Sequence, residues 1–204
     1  TYKLSDKPAF DFNDNINIKY LIDNKPNKEQ LKNSIRHLNI IKLLKELIIS
    51  IKILYLKYQK NIKVIKNINS DIVITTRTFH NKLVSKYINK KVKTIATEHN
   101  FHNNDLKYIN KLIKSCNNID YLILVSKSLK EFYSSRMNNT KCLYIPNVID
   151  YIPNNKSNHN TNNLISIGRL AIEKGFEDLI DVIKIVKETL PDIKLYLIGD
   201  GYLY

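Results

Sequence analysis

The spacing of apolar and polar positions changes rhythm several times along the 204 residues, and each change marks a predicted element. Ala9-Phe10-Asp11-Phe12 and Ile16 to Ile22 alternate with period two, which predicts strands joined by a turn at Asn13-Asp14-Asn15. From Lys28 to about Asn67 the rhythm becomes helical. Leu31, Ile35, Leu38, Ile41, Leu44, Ile48, Ile51 and Tyr55 advance by threes and fours, and lysines take the remaining face. Asn27 is the expected N-cap, and a break is expected near Ser50 or Asn61. This pattern predicts a helix packed on a sheet with its lysines in water; the alternative is a helix lying on an anionic membrane surface with its lysines toward the lipid headgroups.

Four short strand candidates follow: 71–76, a compact β-branched run, then 92–97, 121–125 and 141–145. Helical segments at 81–88, 104–115 and 128–137 separate them. Strands alternating with helices at this spacing predict a parallel, doubly wound α/β sheet. The polar tract 147–163, rich in Asn, Ser, His and Thr, cannot build a core and reads as a linker. The expected division is a first domain over 1–146, a linker over 147–163 and the start of a second, incomplete domain over 164–204. Within the last piece, Leu164 to Ile167 reads as a strand ending at Gly168. A basic loop with Arg169 and Lys174, a helix opening at Gly175 and a strand from Ile193 to Ile198 complete a βαβ unit.

Composition adjusts this picture in three ways. A hydrophobic content of 43% supports a packed core and removes disorder as a class. The net charge of +14, from 33 basic and 19 acidic side chains, favours anionic partners. Because the lysines are scattered rather than blocked, charge alone selects none of them. Cys116 and Cys142 are too few for a disulfide framework or a thiolate metal site and read as buried small side chains. The most apolar window, Leu38 to Leu56, is interrupted by Lys42, Lys45, Glu46 and Lys52, so it is not a membrane span.

Candidate chemistry lies where the strands end, since ligands of open α/β sheets gather at the carboxyl edge. Arg169 and Lys174, beside a glycine at a helix start, form a natural diphosphate site. Glu98-His99-Asn100 follows the second strand of the sheet, and Arg77 and His80 follow the first. Ser126 is placed to cap the helix after the third. His99 and His102 with Glu98 lack the further ligands a metal would need, so no metal site is expected. No Gly-x-Ser-x-Gly elbow and no Gly-x-Gly-x-x-Gly turn is present, which argues against a serine hydrolase and a nicotinamide enzyme.

The run Ile167-Gly168-Arg169-Leu170-Ala171-Ile172-Glu173-Lys174-Gly175, its helix and the turn Gly199-Asp200-Gly201 resemble the donor domain of family 4 retaining glycosyltransferases. The resemblance is strong from Ile165 onward and fair over 71–150. It implies the GT-B fold of two Rossmann-like domains, and a chain from which both natural ends are missing. It implies transfer of a hexose from a nucleoside diphosphate sugar to a hydroxyl acceptor with retention of configuration, in the synthesis of cell-surface glycan or glycolipid. By the same resemblance, Gly168, Arg169 and Lys174 hold the donor diphosphate and His99 is the catalytic histidine facing the sugar. Glu98, Asn100 and Arg77 are further cleft-lining residues. No cofactor is implied beyond the nucleotide-sugar donor. The implied acceptor is a glycan or lipid-linked molecule, met in the cytoplasm by peripheral contact with the anionic inner face of a membrane and without nucleic acid. The competing class is a non-catalytic basic α/β domain that binds nucleic acid or anionic lipid. It calls for lysines and aromatics clustered on one face, whereas the tyrosines here are dispersed.

Overall fold

The computed structural model describes residues 12–23, 26–100, 105–149, 151–152, 154 and 161–202. The chain forms two compact units, Thr1–Val148 and Ile149–Tyr204.

The first unit begins with the expected turn, where the Asn15 amide donates to the Asn13 side chain at 3.0 Å and the Ile16 amide to the Asn13 carbonyl at 2.9 Å. Of the strand expected over Ala9–Phe12, residues 9–11 lie outside the described residues. The strand expected from Ile16 to Ile22 does not form, and only Ile22 makes a β-bridge. Alternation alone does not make a strand: the backbone also needs a neighbour to accept its hydrogen bonds.

The long helical pattern resolves into α1 (Lys28–Arg36) and α2 (Ile40–Lys66). The break falls at 37–39 rather than near Ser50 or Asn61. Leu38 takes a positive φ of 50°, and the Asn39 side chain caps α2 by accepting from the Lys42 amide at 2.9 Å. Asn27 makes no side-chain cap. Its amide donates to the carbonyl and side chain of Glu46, and its oxygen accepts from Ser50 at 2.7 Å, which ties α1 to α2. The expected core face of this segment is open: Ile41, Leu44, Ile48 and Ile51 are each more than half exposed. α2 instead turns Ile53, Asn61 and Ile65 inward.

Four strands, β1 (Ile72–Thr75), β2 (Lys93–Glu98), β3 (Tyr121–Leu124) and β4 (Lys141–Tyr144), alternate with α3 (Thr78–Tyr87), α4 (Leu106–Cys116) and α5 (Lys127–Ser134). All three strand pairs are parallel, in the order β1-β2-β3-β4. Among the described residues the order of these strands does not reverse, so the described part of the sheet is wound one way rather than doubly. Successive crossovers of one hand, stepping in one direction, lay their helices on the same face. The core shows this: Leu83 and Val84 of α3, Leu112 and Cys116 of α4 and Tyr133 of α5 pack with Ala96, Leu122, Leu124 and Cys142. Register puts Ala96, Leu122 and Cys142 side by side on that face. The opposite face carries Ile74, Ile95 and Tyr121, with Ile74 63% exposed.

At the amino edge of the sheet, Asp120 locks β2 to the chain entering β3. Its Oδ2 accepts from the Thr94 amide at 2.8 Å and hydroxyl at 2.7 Å, while its own amide donates to Thr94 Oγ1. These bonds hold the Asp120 carboxyl below the usual carboxylate range.

The second unit pairs β5 (Asn163–Ile167) with β6 (Lys194–Ile198) in parallel around α6 (Phe176–Val186). A 3-10 turn, Ile172–Lys174, precedes α6 where the sequence pattern reads only as loop. Ala171, Phe176 and Ile193 are its buried apolar side chains among the described residues.

Candidate functional site

In the second unit the basic loop is built by strand pairing that continues past the strands. The Gly168 amide donates to the Ile198 carbonyl at 2.9 Å, and the Leu170 amide to the Asp200 carbonyl at 2.9 Å. A Cβ on Gly199 would stand 1.8 Å from the Gly168 carbonyl oxygen, so only glycine permits this approach. Gly168 itself rests on the Phe176 ring. Gly175, at φ 64°, then turns the chain from the 3-10 turn into α6. Arg169 and Lys174 are both exposed on this loop.

Arg169 is not a free cation. Its guanidinium pairs with Glu173, four residues on. Glu173 also accepts from the Tyr202 hydroxyl at 3.1 Å, and that hydroxyl accepts from the Ile172 amide at 3.1 Å. The Glu173 carboxyl is held below its ordinary range by backbone hydrogen bonding, by Tyr202 and by Arg169. An anion arriving at Arg169 therefore meets a guanidinium already aimed and partly neutralised by Glu173. The i, i+4 spacing is a legible signal for this pair; the Tyr202 contact has none.

In the first unit the carboxyl edge of the sheet carries the other candidates. Glu98 ends β2 and is 6% exposed. Its carboxylate is engaged by the loop that follows β2 and by α4. Oε1 accepts from the His99 amide at 3.0 Å and the Asn100 amide at 2.9 Å. Oε2 accepts from the Tyr108 hydroxyl at 2.8 Å. Burial and this carboxylate push the Tyr108 phenol up to about 12, so it remains a donor across the physiological range. Glu98 thus fixes the backbone from which the exposed His99 and Asn100 side chains project. Tyr108, ten residues on, carries no local signal. His102 lies outside the described residues.

Arg77 is exposed at the start of α3. His80, one turn into α3, is half-buried beside Phe79, with ring centroids 5.2 Å apart. Burial, together with the charges of Lys57 and Arg77, lowers its pKa and favours the neutral imidazole. Ser126 caps α5 by accepting from the Leu129 amide at 3.2 Å, the role expected for it. Burial raises the Cys116 thiol to about 11, which leaves it inert as a nucleophile. Among the described residues no three His, Cys, Asp or Glu side chains gather as metal ligands would.

Parallel sheets flanked by crossover helices, with candidate groups at the strand ends, define an α/β protein whose fold matches part of a GT-B glycosyltransferase. Residues 148–203 match the family model described as glycosyl transferases group 1. Among solved structures, the chain is similar to TarM with a TM-score of 0.59 at 15% identity, covering 71% of this chain and 31% of that one. A mutant of S. aureus TarM in complex with fondaparinux, alpha-GlcNAc-glycerol and UDP gives a TM-score of 0.58, with the same identity and coverage. The chain thus spans about a third of the length of these proteins. No curated protein matches it.

Proposed function

We propose that this chain is part of a glycosyltransferase that moves a hexose from a nucleoside diphosphate sugar to a hydroxyl acceptor with retention of configuration. The observation that carries this reading is the loop Gly168–Gly175, which offers Arg169 and Lys174 on a backbone set by glycine close approach, within the segment that matches the family. Departure of the diphosphate concentrates negative charge on the leaving oxygen. Arg169 and Lys174 would stabilise that charge as it develops, with Glu173 keeping the guanidinium oriented in advance. His99, on a loop fixed by Glu98, would hydrogen-bond the donor sugar.

The acceptor in this reading is a cell-surface or lipid-linked glycan, met at an anionic membrane. Support comes from α2, where Ile40, Leu44, Leu47, Ile51 and Leu54 recur by fours and threes and are all exposed. Ile41, Ile48 and Tyr55, also exposed, widen the stripe on one side, and at 100° per residue Lys45, Lys52 and Lys63 lie along the edge beyond them. An apolar face flanked by lysines suits a bilayer interface.

Binding of UDP and other nucleoside diphosphates, measured by titration calorimetry, tests the donor site. Arg169→Ala and Lys174→Ala are each expected to weaken that binding at least tenfold. Unchanged affinity in both variants would sink the assignment.

A further inference from the structure

The helical layer of the first unit contains a groove of about 690 Å3 between α3 and α4 that the donor chemistry does not use. Thr78, Phe79 and Lys82 line it from α3, and Lys107, Lys111 and Lys114 from α4. The α4 lysines fall at i, i+4 and i+7, on one face of the helix and about 10 Å from first to last. No acidic residue lines the groove, and among the described residues none of the four ammonium groups is paired with a carboxylate. Four like charges converging on one depression repel one another, and an anion bridging them would relieve that repulsion.

Two of its lining residues, Thr78 and Lys107, stand in the first turns of α3 and α4, the helices that follow β1 and β2. Two helix N-termini add their partial positive charge there. The four lysines are exposed around a concave lining, and three of them form a row along α4 that suits a linear chain of negative charges. Phe79 is the one aromatic among the lining side chains, whereas single-stranded nucleic acid is held by rows of stacking rings.

We propose that the α3–α4 groove is a binding track for a linear polyanion, an acceptor polymer carrying repeated phosphate, sulfate or carboxylate groups. The word acceptor rests on the glycosyltransferase reading; the track itself does not.

The test uses the whole chain and fluorescently labelled inorganic polyphosphate at fixed ionic strength. K82Q/K111Q/K114Q removes three groove charges, and K42Q/K60Q/K63Q removes three exposed charges from α2, so both variants carry the same net charge. Thermal unfolding confirms that each is folded. The groove variant is expected to bind at least tenfold more weakly and the α2 variant less than threefold. Orthophosphate and a dT oligomer of equal charge should compete poorly. Equal losses in the two variants, absence of polyphosphate binding to the unaltered chain, or stronger competition by the dT oligomer would overturn the proposal. Polyphosphate binding is read without nucleotide. Its failure therefore counts against the track alone, and a failure of UDP binding counts against the transferase reading alone.

Discussion

At the scale of single residues, Glu98 and His99 divide one task. Glu98 is buried and holds the amides of His99 and Asn100 together with the Tyr108 hydroxyl, while the histidine ring is left outside. Removing the carboxylate strands three donors, and an unsatisfied buried polar group typically costs about 1–3 kcal/mol. Glu98→Ala should therefore lower both melting temperature and turnover of the enzyme that contains this chain, and Glu98→Gln should recover most of each. His99→Ala should keep the melting temperature and raise the barrier by roughly 2–4 kcal/mol, the range for a donor to transition-state charge. Steady-state rates with the cognate donor, beside thermal unfolding, separate the two residues. Wild-type turnover in His99→Ala would make the histidine structural. The tripeptide's place at a strand end was legible in the sequence. The inward turn of Glu98 was not, because it depends on Tyr108 arriving from α4.

At the scale of elements, the sheet of the first unit was readable because each strand run is short and set apart from its neighbours by a helical segment. Its winding was not, since strand order is a property of how crossovers stack. One lock between elements yields a pH prediction. The Asp120 carboxyl is depressed in the folded chain by its bonds to Thr94. A depressed carboxyl contributes stability above its unfolded pKa and loses that contribution as pH falls through the folded value. Asp120→Ala should thus cost about 1–2 kcal/mol near pH 7, less than a buried hydrogen bond to a charged group because the side chain is 37% exposed and solvent screens it. The gap to the unaltered chain should close in acid, below the ordinary carboxylate range. Urea unfolding of both proteins at neutral and acid pH measures it, and a gap independent of pH would show that the Thr94 bonds do not depend on ionisation.

At the scale of the whole chain, the charge of +14 and the open stripe of α2 are the two features on which the proposed membrane contact rests. No described helix is long and apolar enough to cross a membrane, so contact with lipid through α2 would be interfacial. Vesicles containing phosphatidylglycerol should sediment the chain and pure phosphatidylcholine vesicles should not, with binding falling as salt rises. Leu44→Asp with Ile51→Asp should abolish sedimentation while leaving the fold intact, as both side chains are already exposed. Equal sedimentation with both vesicle types would remove the electrostatic part of this reading. A concentration-dependent dimer that the same pair of substitutions dissolves would assign the stripe to a second copy instead.

What the sequence determined by itself was local. Periodicity placed β1 to β4, α3 to α5 and the strand–loop–helix–strand of the second unit, because each of those signals lies within a few residues of chain. It also marked Gly168, Arg169, Lys174 and His99 as groups at strand ends. What only tertiary structure decided was which side of an element is used and by whom. α2 buried Asn61 and Ile65 near its end and left the apolar stripe of its first half open. Asn27 gave up its cap to bind Glu46 and Ser50, and Arg169 took Glu173 as a partner. The α3–α4 groove gathered lysines that are 25 to 32 positions apart in the chain. Such pairings depend on contacts between distant residues, and a one-dimensional pattern carries no record of which faces will meet.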